Sequence, residues 1–187
     1  ATLDASGDVT ATHDMDEVSV ERAQAIVDQH LTGAIEQAER WAPRSFIDSE
    51  VQLAALYIDL LGVNSAALFT PEELQALYLQ TRELLDNARS QNPAWAEIDY
   101  KRGQLFAAID TGFEPDARQM AVAALEDAVR KNKRHFKARY ELARLYIQRG
   151  RVEPAYEVLE QGLAYRHPAD VGDAYRELMG RIENLVA

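Results

Sequence analysis

The chain has 187 residues, a length that fits one domain or one short array with a real hydrophobic core. Hydrophobic residues make up 47%, which excludes wholesale disorder, and the lack of cysteine excludes disulfides, thiolate metal sites and a cysteine nucleophile. The net charge of −11 is uneven: residues 1–100 carry 18 acidic and 5 basic side chains, residues 101–150 carry 6 and 11, and residues 151–187 carry 7 and 4.

Helix formers dominate while Pro (6) and Gly (9) are sparse, which points to an all-α chain. No run approaches the ~18 consecutive apolar residues that span a bilayer, and no signal-peptide pattern is visible. The chain starts at Ala1 rather than Met, so a processed or excised protein is expected. Tethering by a removed upstream segment stays open, and the compartment is unread, leaning to a bacterial periplasm or the soluble part of a membrane-tethered protein. Arginine outnumbers lysine by 16 to 4, which with abundant alanine hints at a GC-rich bacterial genome.

In chain order, residues 1–16 are rich in Thr, Asp and Gly without apolar periodicity and read as a flexible leader. Ser19 is placed to cap a helix over 19–42, which Pro43 ends by pushing the preceding residue out of the α region. A second helix is expected at about 46–61. A third opens on Thr70-Pro71-Glu72-Glu73, the clearest start in the chain: threonine caps, proline takes the first helical place, and Glu73 can close a capping box. It should stop at Asn92-Pro93. Further helices are expected at about 94–110, from Pro115-Asp116 to Lys131, at 135–149 ending on Gly150, at 152–165, and at 171–185 behind a capping Asp170.

Three of these segments repeat one pattern: Leu53-Ala54-x-x-Tyr57, Arg102-Gly103-x-x-Phe106 and Leu142-Ala143-x-x-Tyr146, with aromatics 49 and 40 residues apart. Periods of that size mark stacked helix pairs, each too small to bury its apolar face alone. Tyr57, Phe106 and Tyr146 are therefore expected in the core. Trp41 and Trp95, each beside a unit-ending proline, are expected between adjacent units.

Residues 136–168 resemble one tetratricopeptide (TPR) repeat, through Leu142, Ala143, Tyr146, Gly150, Ala155, Leu159, Gly162, Leu163 and Pro168. Arg139 stands where that family often has an aromatic. The resemblance reaches back through Gly103, Phe106, Ala121, Leu125 and Ala128 to Leu53, Ala54, Tyr57, Leu85, Ala88 and Pro93, with longer inter-helix turns. It implies an all-α, right-handed superhelical array of antiparallel helix pairs, about eight helices in one domain over 17–187. Its parts would be a cap helix (19–42), units at 47–93, 94–135 and 136–168, and a C-terminal cap helix (170–186).

In peptide-binding members of that family the second, fifth and ninth places of each first helix face the ligand. Here these are Glu97, Tyr100 and Gln104, then Lys137, Tyr140 and Arg144, a groove with two aromatics and two cations suited to an acidic peptide. Glu141 stands where the carboxylate-gripping members place an asparagine. The sharpest charge feature is Arg130, Lys131, Lys133, Arg134, Lys137 and Arg139, six cations within ten residues. Such a run can meet phosphate groups of a polymer or lipid headgroup, or simply form a solvated corner near a helix C-terminus.

The four histidines (His13, His30, His135, His167) have no histidine or cysteine at i+3 or i+4, so no metal site is expected. No nucleophile elbow, phosphate-binding loop or HExxH occurs, and no catalytic residue or cofactor is expected. The expected role is a non-catalytic module that binds a protein or peptide segment, as a scaffold or assembly factor in a bacterial complex. The alternatives are a self-assembling unit pairing acidic and basic faces, and a binder of anionic polymer or lipid through the 130–139 patch. Nucleic acid is disfavoured by the acidic remainder of the chain.

Overall fold

In a computed structural model the described residues are 47–62, 69–109 and 113–186. They form seven helices: α1 (Ile47–Gly62), α2 (Pro71–Gln91), α3 (Ala96–Ala108), α4 (Ala117–Lys131), α5 (Phe136–Gln148), α6 (Val152–Leu163) and α7 (Ala169–Val186). No strand occurs among the described residues. The expected helix at 19–42, the leader and Trp41 lie outside them.

The strongest local signals act as their chemistry requires. Thr70 Oγ1 accepts from the Glu73 backbone N–H at 3.3 Å, while Glu73 Oε2 accepts from the Thr70 N–H at 2.8 Å, closing the capping box with Pro71 behind it. Gly150 adopts φ 69°, a left-handed conformation that glycine enters without the Cβ penalty. That turn lets Arg151 N–H donate back to the Tyr146 carbonyl at 2.8 Å, so α5 ends and α6 begins within a few residues.

α5 and α6 end slightly short of the expected 149 and 165, and two other boundaries differ for local reasons. α3 is shorter than expected, Ala96–Ala108, because the cap at Trp95 follows Asn92 and Pro93 by a turn. Asp170 lies inside the first turn of α7 rather than at its cap, where its charge suits the helix dipole.

The joints at the ends of α2 and α4 repeat one another. Asn92 N–H donates to Ala88 O and Asn132 N–H to Ala128 O, both at 2.9 Å. Trp95 N–H and His135 N–H then return to those asparagine carbonyls at 3.2 and 2.9 Å. One hydrogen-bonding scheme thus recurs 40 residues apart, the separation of Phe106 and Tyr146.

Packing follows chain order: α1 with α2, α3 with α4 and α5 with α6 form close pairs, and neighbouring pairs stack, with α7 against α5 and α6. Tyr57, Phe106 and Tyr146 are all buried, as are Ala54, Gly103 and Ala143 three residues before them. One core cluster joins Tyr146, Leu142, Leu159, Leu125, Tyr175 and Ile182, and a second joins Phe106, Leu105, Leu85, Tyr78 and Ile58. Trp95 packs on Val51, Ala88 and Ile98, between the first two pairs.

Two glycines are set by contact. A Cβ on Gly103 would stand 2.6 Å from Leu125 Cγ, so α3 and α4 approach only because it is absent. A Cβ on Gly162 would stand 2.3 Å from Tyr175 Cε2 and 3.2 Å from Arg139 Cδ. The gap at Gly162 therefore admits a ring from α7 as well as the partner helix of its own pair.

Candidate functional site

The first helices of successive pairs, with α7, bound a groove. Between α5 and α7 lies a slot of about 310 Å³ walled by Tyr100, Phe136, Tyr140, Val171, Ala174 and Tyr175, with Lys137 and Glu141 also lining it. Its aromatics brace one another. Tyr140 stacks on Tyr175 at 6.5 Å, and Phe136 meets Tyr175 edge-on at 6.4 Å. Tyr175 Oη donates to Phe136 O at 2.7 Å, fixing α7 to the start of α5.

A second cavity, about 530 Å³, lies among α1, α3 and α5 over Leu125 of α4. Small residues open it on the α3 side (Gly103, Ala107, Ala108), and Asp59, Gln104, Arg144 and Gln148 supply polar groups. Glu141 lines both cavities, so they adjoin along α5.

The sequence-derived groove residues fall into two groups. Tyr100 is 5% exposed, its ring 4.7 Å from that of His135. Its hydroxyl accepts from Gln104 Nε2 at 3.0 Å, and Lys101 Nζ in turn donates to Gln104 Oε1 at 3.0 Å. Burial, helped by the nearby Glu141 and Glu97 charges, pushes the Tyr100 hydroxyl up to about 12, so it stays protonated. Glu97 is bound to His135 Nε2 at 3.1 Å, and that hydrogen bond holds its carboxyl below the usual range. His135 Nδ1 accepts from the Ala138 N–H and so caps α5, which leaves the ring proton on Nε2 facing Glu97.

Tyr140 is half-buried along the slot, and Lys137 is exposed beside it with no ion pair among the described residues. Arg144 is drawn to Glu141, Nη1 to Oε2 at 3.2 Å. The two expected cations are thus differently available: Lys137 makes no ion pair among the described residues and acts on Glu97 only at longer range, while Arg144 shares its charge with a carboxylate of the same helix.

The basic run does not form one surface. Arg130 pairs with Asp127 at 2.7 Å, and Lys131 turns inward to the carboxylate of Asp99. Lys133 and Arg134 remain exposed without ion pairs among the described residues. Arg139 is 2% exposed and bonds to backbone carbonyls.

The acidic partner Asp99, fully buried, also faces Arg89 Nε at 3.3 Å. Arg89 reaches Asp127 at 3.3 Å, and Asp86 bridges Arg82 and Arg102 at 3.8 and 3.2 Å. This chain of charges between α2, α3 and α4 has no local sequence signal beyond alternating sign, since its members are joined only by packing. Among the described residues no group of three His, Asp or Glu side chains could hold a metal ion, and no helix is long and apolar enough to cross a membrane.

The family model of the tetratricopeptide repeat matches residues 116–182, from just before α4 into α7. Among solved structures the chain is similar to a thermophilic TPR protein of Thermus thermophilus, with a TM-score of 0.63 and 21% identity over 87% of this chain and 88% of that one. It is also similar to two structures of MamA, with TM-scores of 0.52 and 0.51, each at 21% identity. These cover 91% and 88% of this chain and 90% and 86% of those chains. No curated protein matches in sequence. At such identities the likeness is one of fold, and the fold is an all-α, TPR-like superhelical array of antiparallel helix pairs.

Proposed function

We propose that this TPR-like helical repeat chain holds an extended protein segment in the groove, one apolar side chain entering the α5–α7 slot and polar groups crossing the cleft beside α3. The fold supports a protein partner in general, since arrays of helix pairs recognise segments along the face lined by their first helices. The carrying observation is the slot itself, about 310 Å³, walled by four aromatic rings, three of which (Phe136, Tyr140 and Tyr175) brace one another. That size is at the low end of ligand pockets, about 300–1,000 Å³, and suits one bulky side chain rather than a cofactor. Rigid tyrosines contribute contact area at little entropic cost. The exposed ammonium of Lys137, which lines the slot without an ion pair among the described residues, favours a carboxylate next to that anchor. In this reading the chain is a scaffold or assembly factor in a bacterial complex and performs no catalytic step.

Peptides selected from a displayed random library test this. Those that bind should share a bulky apolar residue and should lose at least ~10-fold in affinity, about 1.4 kcal/mol, on Val171→Arg, which fills the slot with a charged side chain. Peptides whose affinity is the same for Val171→Arg and the unaltered chain would reject the groove.

A further inference from the structure

Arg139 is a buried charge without a counter-charge. Its Nε donates to Lys133 O at 2.9 Å and its Nη1 to Val158 O at 3.0 Å, while the guanidinium lies 5.7 Å from the centre of the Tyr165 ring. Nη2 makes no hydrogen bond among the described residues. Burial lowers its pKa, opposed only by the tyrosines Tyr175 and Tyr165 and by no carboxylate. Taking a cation out of water without an anionic partner is costly. The other fully buried charge, Asp99, has both Lys131 and Arg89 against it.

Beside Arg139 a cavity of about 380 Å³ opens between the end of α4, the turn before α5 and the end of α6. α4 and α6 are second helices of their pairs, so this site is separate from the groove. Arg130 and Lys133 line it together with Arg139, Gln161 and Tyr165, and no acidic side chain does. Asp127 takes one side of Arg130 at 2.7 Å, and the charge of Asp99 acts on Arg130 as well. Arg130 is therefore partly neutralised, while Lys133 makes no ion pair among the described residues and Arg139 meets no carboxylate. The carbonyls at Lys133 and Val158 are already satisfied by Nε and Nη1, which leaves Nη2 for a ligand.

We propose that this cavity is an anion site for a phosphate monoester dianion. Lys133 and Arg130 would hold it from the rim and the Arg139 guanidinium from the wall, with the Gln161 amide and Tyr165 hydroxyl as neutral donors. Lys133 and Arg139 bring cations without a carboxylate partner, and guanidinium groups bind phosphate oxygens through directed, charge-assisted hydrogen bonds. Inorganic phosphate and a phosphorylated side chain of a partner share this chemistry.

The test is a heteronuclear NMR titration of the full chain at constant ionic strength with inorganic phosphate, with O-phosphoserine, and with vesicles carrying phosphorylated lipid headgroups. Both small phosphates should saturate one site and shift signals confined to residues 129–139 and 161–165, including the Arg139 side-chain Nε–H. Lys133→Glu, at an exposed position where the fold is preserved, should weaken both at least tenfold. Arg139→Met should abolish binding where it folds, and Lys133→Glu decides the question whether or not it does. Shifts scattered over every cationic side chain, no saturation, or equal affinity in Lys133→Glu would overturn the site. Saturation by the vesicles alone would overturn it in favour of a membrane contact.

Discussion

Asp99 in α3 and Arg139 in α5 stand at the same place in successive helix pairs, each seven residues before the ring, Phe106 or Tyr146, that anchors its pair. Both are buried, yet one is an acid held by two cations and the other a cation held by two carbonyls. The spacing fixes which position is enclosed, and the neighbouring pair decides what chemistry the enclosed group meets. In the second pair Arg89 arrives from α2 and Lys131 from the end of α4. In the third no acid arrives, and the space beside Arg139 stays open as a cavity. Two units with one backbone plan thus differ in whether a buried charge is satisfied within the chain.

Equivalence of the two anchoring rings is the part of this comparison with the largest energetic consequence. Phe106→Ala and Tyr146→Ala should each cost ~3–5 kcal/mol in equilibrium denaturant unfolding, as large aromatic truncations in cores do. A loss under ~1 kcal/mol for either would separate the two units.

The unequal charges come next. Asp99→Asn leaves Lys131, whose side chain is 14% exposed, and Arg89 without their shared carboxylate, and should cost about 2–4 kcal/mol. Arg139→Met removes a charge that has no counter-charge together with two hydrogen bonds, and should cost less, ~1 kcal/mol. Unfolding curves in which Arg139→Met is the more damaging would invert the comparison.

An effect smaller than that of Asp99→Asn is expected at the glycine of the second pair. Gly103→Ala brings a methyl to 2.6 and 2.7 Å from Leu125 Cγ and Cδ2, a side chain that can partly yield, so the loss should be ~1–2 kcal/mol. The third pair already carries Ala143 at that place. A neutral or stabilising Gly103→Ala would show that α3 and α4 are free to separate.

The smallest effect near neutral pH grows in alkali, where both pairs should behave alike. Burial pushes the hydroxyls of Tyr100 and Tyr146 from 10.0 up to about 12. Below pH 10 both are neutral whether the chain is folded or not. Between about pH 10 and 12 the unfolded chain ionises first, so the folded state binds more protons and stability falls as pH rises. The denaturant midpoint should drop through that window, with tyrosinate absorbance near 295 nm lagging a free-tyrosine curve. A flat midpoint up to pH 12 would contradict this burial.

Much of the fold was legible because its signals are local. Thr70 with Glu73, Gly150, Pro93 and the small-residue-to-aromatic spacing each act within a turn or two of helix. The groove was only half legible: the places of Lys137 and Tyr140 follow from the resemblance to peptide-binding TPR members, but the slot also needs Val171, Ala174 and Tyr175 from a helix that a single repeat does not include. Tyr100 reads as a groove aromatic and does line the slot, but it is largely buried, with His135 of the next unit against its ring. The basic run misleads for a related reason. Lys131 and Lys133 straddle the end of α4, so one turns inward to Asp99 while the other stays in solvent, and Arg139 disappears beneath α6. Sequence counts these charges, but tertiary packing alone distributes them.

Under the proposed function an unphosphorylated protein segment sits in the groove beside α5 and α7 rather than at the charged corner after α4. That placement is tested most directly by the affinity of one library-selected peptide for the unaltered chain, Val171→Arg and Lys133→Glu, measured side by side at fixed ionic strength. Val171→Arg should lose at least ~10-fold in affinity, and Lys133→Glu should bind as the unaltered chain does. An unchanged Val171→Arg with a large loss in Lys133→Glu would contradict it.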